Sequence, residues 1–278
     1  MKKAASKIIK FCTFICMSLL VIPSQGVASG ANNKQYEVGI FPHLQKNYQP
    51  VVENLSKSID HKVHFSTDES IENFYEHLKK EYYDIVVAQP FEYVILSKKY
   101  GYIPLATKKQ PIKALIVAKK GGAIQNIQNL LGRKLLLPPN STVTSYLTKK
   151  HLHNFGFDLN HDISIRYERT HVSCLQKLLL GFADACATRQ ATLDFFERRM
   201  EMKFQVISQT PEIPDILFAA HPRVDAAHRK ILTKALFQWG DTKEAKKLLS
   251  NKSLTSFRPI TDKRYDIVRK IKAEVDAY

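Results

Sequence analysis

Apolar positions along this chain alternate between short continuous runs and helical spacing. Val51, Val52, Leu55 and Ile59 recur at helical intervals and predict a helix over residues 48–59. Residues 63–65 form a short β-prone run. Ile71, Phe74, Tyr75 and Leu78 again mark one helix face, behind the capping residues Thr67, Asp68, Glu69 and Ser70. Ile85, Val86, Val87 and Ala88 are continuously apolar, as in a strand buried on both faces. A helix over 92–99 and a strand over 103–107 follow. With a compact strand at 36–41, the first part reads β-α-β-α-β-α-β, the signature of an α/β layer with a largely parallel sheet.

The alternation then restarts. Strands are expected at 113–119, from Leu135 to Leu137, and at 163–167, 183–187, 204–208 and 216–220. The helices between them fall at 142–154, 171–180 and 189–198, with a short helix or turn at 124–131. The rest is helical: 225–239, 242–250 and 262–278. Two α/β units followed by a helical tail are either beads on a string or an insertion, in which the tail returns to the first unit. The insertion needs two crossings, near 107–113 and 210–215, and both segments hold Pro and polar residues. Paired crossings between two lobes make a hinge, and a ligand would sit between the lobes at the carboxyl ends of strands.

The N-terminus changes the compartment. Lys2, Lys3, Lys7 and Lys10 precede a twelve-residue apolar run at 11–22, and Val27, Ala28 and Ser29 offer a cleavage site. That is the layout of a secretory signal peptide over residues 1–29; the run is short for a membrane span. Cys12 and Cys16 lack the small-residue pattern of a lipidation site, so the expectation is a soluble extracytoplasmic, periplasmic protein. Its removal leaves 38 basic against 26 acidic residues, a net charge of +12. The bases are scattered in pairs among acids, without an arginine-rich tract or an aromatic-studded basic strand, which argues against nucleic acid. Cys174 and Cys186 remain, and export permits a disulfide between them; the alternative is two small buried side chains.

Candidate chemistry concentrates after the strand at Leu135. Pro138 and Pro139 end it, and Asn140, Ser141, Thr142, Thr144 and Ser145 crowd the start of the next helix. A single cap needs one such residue, and here five fall within six positions. Unpaired amides, the positive helix end and extra hydroxyls together suit a small oxyanion. Other residues at strand ends are Pro42 with His43, Gln89-Pro90-Phe91, and Thr170 with His171.

Several segments occur in an order that carries a resemblance: Val38-Gly39-Ile40-Phe41-Pro42, residues 83–93 (YDIVVAQPFEY), the run from Pro139 to Tyr146, Gly181-Phe182-Ala183-Asp184-Ala185, and residues 260–266 (ITDKRYD). Together they resemble the phosphate/phosphite/phosphonate substrate-binding proteins of ABC transporters, over nearly the whole mature chain. The resemblance implies an α/β, two-lobed type II periplasmic-binding-protein fold. Each lobe would be a mostly parallel sheet flanked by helices, with the ligand cleft between them. One lobe would comprise 30–110 and 215–278, and the inserted lobe 111–214. It further implies delivery of a small oxyanion to an ABC permease, or a role as the sensory input of a membrane sensor protein; a monomer is expected.

Position by position, the resemblance assigns the ligand oxygens to Ser141, Thr142, Thr144 and Ser145, although Val143 interrupts the family's tighter Ser-Thr-Ser form. It places His171 at the head of the next cleft helix and Tyr93 after the third strand's proline, with Phe91 stacking nearby. Aminophosphonate binders carry an acid after the Ala-Asp-Ala strand. Here that stretch reads Cys186-Ala187-Thr188-Arg189, which disfavours an amine-bearing ligand. Arg189 either adds a bidentate anion contact or is a solvated arginine at a helix start. His151 and His153 face different sides of a helix, and His61 and His64 opposite faces of an extended stretch. His171 with Cys174 has metal-compatible spacing, but two ligands make no zinc site, so no metal and no cofactor is expected. There is no nucleophile elbow, phosphate-cradling glycine loop or Cys-x-x-Cys pair, and a non-enzymatic binder is favoured over an enzyme of the same fold.

Overall fold

The computed structural model describes residues 35–277, apart from 60, 61, 67, 69 and 251–255. The expected signal peptide, 1–29, lies outside the described residues. In chain order the elements are β1 (Tyr36–Ile40), α1 (Gln45–Ser58), β2 (Val63–Ser66), α2 (Ile71–Lys79), β3 (Ile85–Ala88), α3 (Pro90–Tyr100) and β4 (Ile103–Lys108). Then come β5 (Leu115–Lys119), β6 (Lys134–Leu137), α4 (Val143–Asn154), β7 (Ser164–Tyr167), α5 (His171–Leu179), β8 (Ala185–Thr188), α6 (Gln190–Met200) and β9 (Phe204–Gln209). The chain ends with β10 (Leu217–Ala220), α7 (Ala226–Gln238), α8 (Lys243–Ser250), β11 (Phe257–Arg258) and α9 (Asp266–Val275). Among the described residues no helix is long and apolar enough to cross a membrane.

These strands form two mixed sheets, ordered β11-β4-β10-β3-β1-β2 and β7-β6-β8-β5-β9. Each has a parallel core, β2-β1-β3 in one and β7-β6-β8 in the other. Each also has an antiparallel strand placed directly after a crossing: β10 lies between β3 and β4, and β5 between β8 and β9. The chain that leaves one sheet enters the next against the grain, which a βα rhythm alone does not reveal.

Periodicity on the strands sets the layers. Leu135 and Leu137 pack on one face of the second sheet with Ile116 and Ala185, while Leu136 packs on the other with Leu115 and Leu175. Cys174 on α5 and Cys186 on β8 belong to that second face and are joined as a disulfide, with Cα atoms 5.8 Å apart. The first sheet's core runs from Val38 and Ile40 through Ile85–Ala88 to Phe218, and takes in Val143 and Leu147 of α4. Gly39 belongs there because the Tyr83 ring stands where a side chain would be: a Cβ would meet it at 2.7 Å.

Local chemistry explains several boundaries. α1 starts at Gln45, earlier than the apolar spacing indicates, led in by a 3-10 turn at Pro42–Leu44, with Pro50 accommodated within it. α3 has Pro90 in its first turn, reciprocal capping between Gln89 and Glu92, and Gly101 in left-handed conformation (φ 70°) at its end. The tail differs from a continuous helix. Residues 262–265 are a 3-10 turn before α9, and Phe257–Arg258 add a two-residue strand to the edge of β4.

The crossings run side by side. Ile112 and Ile213 exchange backbone hydrogen bonds of 3.0 and 2.9 Å, and Ala114 pairs with Thr210 through backbone and hydroxyl. Lys108 on the first crossing forms an ion pair of 2.8 Å with Asp215 on the second. The Asp215 carbonyl accepts hydrogen bonds from the hydroxyls of Thr107 and Tyr265.

Candidate functional site

Strands β1, β3, β6, β7 and β8 each lead through a short turn into a helix, so five helix N-termini gather at carboxyl ends of strands. Each presents unpaired amides and a partial positive charge. The turn after β6 is the richest in hydroxyls. Thr142 is the N-cap of α4: its Oγ1 accepts the Ser145 N–H (3.3 Å) and donates to Ser145 Oγ (3.2 Å). Ser145 Oγ donates in turn to the Pro138 carbonyl at 2.9 Å. Two of the expected ligand hydroxyls are therefore engaged in building the turn. Ser141 is exposed. Thr144 is different: it is 1% exposed, and its Oγ1 has no hydrogen-bond partner. A buried hydroxyl without a partner is costly, and native proteins seldom carry one without a reason.

The same edge holds further buried polar atoms without partners. His171 opens α5 behind the Thr170–Ser173 capping box, and its Nδ1 is buried and unbonded. Burial foremost, and then the charge of Arg189, push its pKa down to about 3, so the imidazole is neutral at pH 7. Thr188 closes β8 with a buried, unbonded Oγ1 beside Arg189. From the first sheet's side comes Tyr48 of α1, fully buried with an unbonded hydroxyl. Burial holds the phenol well above its ordinary value; Asp215 pushes the same way, and Arg189 opposes them. The charge of Arg189 thus reaches both His171 of the second sheet's half and Tyr48 of the first. Arg189 itself is exposed at the start of α6 and makes no side-chain cap.

The other expected residues are placed differently. Tyr93 is buried, and its hydroxyl donates to Asp262 at 2.6 Å, itself held by Arg269; this hydroxyl is committed to the tail. Phe91 stacks on Tyr146 of α4 with ring centroids 4.4 Å apart, so its ring joins the two halves. Pro42 is half-buried in the 3-10 turn before α1, and the side chain of His43 lies outside the described residues. Glu92, at the head of α3, accepts the Gln89 N–H at 2.7 Å, and burial pushes its carboxyl up to about 8. Cys174 is bonded to Cys186, which removes the thiol from the one metal-compatible spacing, His171 with Cys174.

Tyr48, Thr188 and Asp215 are additions that sequence reasoning missed. Tyr48 stands in the first turn of the helix that follows the Pro42 strand end, and Asp215 lies within a recognised crossing, so position carried a signal for both. Thr188 ends the strand that the Ala-Asp-Ala stretch leads into. As a set, these groups offer neutral or cationic donors to a small anion: hydroxyls of Thr144, Thr188 and Tyr48, the His171 ring, the α4 amides and the Arg189 charge. Asp215, the carboxylate whose charge acts on Tyr48, is paired with Lys108.

A family model described as "ABC transporter, phosphonate, periplasmic substrate-binding protein" matches residues 42–265. Among solved structures, the chain is similar to PhnD1 from Prochlorococcus marinus in complex with methylphosphonate, with TM-score 0.70 and 17% identity over 89% of this chain and 100% of that one. XAC2383 from Xanthomonas citri bound to ATP aligns with TM-score 0.69 and 16% identity over 87% and 97%. The periplasmic aliphatic sulphonate binding protein SsuA from Escherichia coli aligns with TM-score 0.62 and 12% identity over 87% and 91%. At these identities the likeness is one of fold: two helix-flanked sheets of the type II periplasmic binding proteins.

Proposed function

Because the chain belongs to the periplasmic substrate-binding family of phosphonate ABC transporters, we propose that it captures a small phosphonate-, phosphite- or phosphate-like oxyanion between two lobes and presents it to an ABC permease. The lobes are 30–110 with 215–278, and 111–214, hinged at the paired crossings. The observation that carries the reading is the buried, partnerless Thr144 hydroxyl on the first turn of α4, on the same strand edge as the partnerless Nδ1 of His171. Thr144 and the α4 amides hold the anion's oxygens, with Thr188 and His171 from the second lobe and Tyr48 from the first. Ligand favours the closed arrangement because only that arrangement contacts it from both sides. No covalent step is assigned: the protein binds and releases its ligand unchanged.

Calorimetry and thermal melting with phosphate, phosphite, methylphosphonate and sulfate test this. At least one should raise the melting temperature in a concentration-dependent way. Thr144→Val removes one charge-assisted hydrogen bond, worth about 1.5–3 kcal/mol, and should weaken binding tenfold or more. Wild-type protein unmoved by all four anions would defeat the ligand class.

A further inference from the structure

Opposite the helix N-termini, the amino ends of the second sheet's parallel strands carry a surface that anion capture does not use. The turn before β6 exposes Leu131 (64%), and the turn before β8 exposes Leu180 (69%) and Phe182 (62%). These turns adjoin: the Asp184 N–H donates to the Lys134 carbonyl at 3.0 Å, and Asp184 Oδ2 accepts the Lys134 N–H at 2.8 Å. Three large apolar side chains this exposed, on neighbouring turns, are more than the scattered single residues of an ordinary surface.

The surroundings are basic. Lys119 ends β5 on this edge with Lys120 just after it, and Arg133 stands just before Lys134, the first residue of β6; all four are exposed. The Lys119 ammonium lies 3.6 Å from where a Cβ on Gly181 would stand, which puts it directly beside the Leu180–Phe182 turn. Against these cations stand Asp184, held to the Lys134 backbone, the exposed Glu201, and two acids of the turn before β7: Asp162, whose carbonyl accepts the Gly132 N–H at 2.7 Å and whose carboxylate accepts the Asp158 N–H, and Asp158, paired with His161. We propose that this edge docks on an anionic lipid bilayer, with Leu131, Leu180 and Phe182 entering the headgroup region and the four cations facing lipid phosphates. Charge complementarity selects this occupant. Interfacial binding combines buried apolar area with attraction to anionic lipid, and each basic residue near such a surface strengthens binding about fivefold. A purely apolar partner would gain nothing from the ring of cations.

The test is cosedimentation of the full chain with vesicles of phosphatidylcholine, alone or with about one-third phosphatidylglycerol. Wild type should bind the anionic vesicles at least tenfold more strongly, and lose that preference at high salt. Two separate variants, Leu131→Ser/Leu180→Ser/Phe182→Ser and Lys119→Glu/Lys120→Glu, should each lower the partition coefficient at least tenfold, with melting midpoints as folding controls. The N-terminal apolar run is common to all three proteins, so lipid binding that is equal in all three overturns the proposal. So does wild type without preference for anionic lipid. A dimer broken by the first variant, with lipid binding unchanged, also overturns it and assigns the patch to a second copy.

Discussion

His171 shows how a single residue's surroundings decide its chemistry. Half-buried at the head of α5, with its Nδ1 shut off from solvent and the charge of Arg189 acting on it, its ring stays neutral down to about pH 3. In the unfolded chain it takes up a proton near pH 6.5. The folded state therefore binds fewer protons between these values, and this group removes stability as pH falls below 6.5. Glu92 has the opposite sign. With its carboxyl pushed up to about 8, its contribution is complete below about 4.5 and is lost as pH rises through 8. The total pH profile mixes the two, so the useful quantity is the difference between His171→Gln and wild type. The melting point of His171→Gln relative to wild type should be higher at pH 4.5 than at pH 7.5. With bound anion the imidazolium becomes favourable, so wild-type affinity should gain more than the variant's on moving from pH 7.5 to 5.5, by up to about tenfold per pH unit. Equal slopes for both proteins would leave His171 as a neutral donor only, and equal affinities at pH 7.5 as well would remove it from the site.

Among the elements, α5 and β8 are bound together most directly, by Cys174–Cys186. A cross-link across a loop of this size restricts the unfolded chain by about 3 kcal/mol. The double variant Cys174→Ala/Cys186→Ala should therefore melt about 6–12 °C lower while still binding anion. An unchanged melting point would mean that the pair does not form in solution. The elements themselves were largely legible. Ile85–Ala88 had to be a buried strand and Leu135–Leu137 another, because continuous apolar runs of that length fit little else. Capping residues and Gly101 marked helix ends. What the pattern could not supply was partnership. Thr142, Thr144 and Ser145 are equivalent hydroxyls in a sequence. Only the reciprocal Thr142–Ser145 bonds and the reach back to Pro138 leave Thr144 without a partner. Tyr93 looked available until the tail, 169 residues further on, brought Asp262 to its hydroxyl. Phe257–Arg258 is too short to show a period at all.

At the scale of the whole molecule, the two sheets' halves meet away from the anion's proposed position. Val143 and Leu147 of α4 join the first sheet's core, Tyr146 stacks on Phe91, and Lys150 pairs with Glu274 of α9. Under the proposed closure, such contacts would favour the closed arrangement without touching ligand, and so would set how much of the protein is competent to hold it. Apparent affinity scales with that competent fraction. The half-buried Tyr146 also has the Lys149 and Lys272 ammonium groups 5.2 and 5.5 Å from its ring centre. Tyr146→Ala removes an aromatic pair worth about 0.5–1.5 kcal/mol beyond its buried area. Where closure is the minor state in free protein, that loss should pass into affinity as a roughly threefold to tenfold weakening, although no ligand atom has lost a contact. The variant should also scatter X-rays with a larger radius of gyration than wild type without ligand, and converge on the wild-type value at saturating anion. The charges around the proposed site discriminate between candidate anions. Asp215 is held by Lys108, and Arg189 is the charge that acts on both Tyr48 and His171, so at the proposed site methylphosphonate should outcompete 2-aminoethylphosphonate, whose ammonium group would meet a cation instead of a carboxylate. If the aminated ligand binds more tightly, the Lys108–Asp215 pair must open on binding, and Lys108→Met would then strengthen its affinity instead of leaving it unchanged.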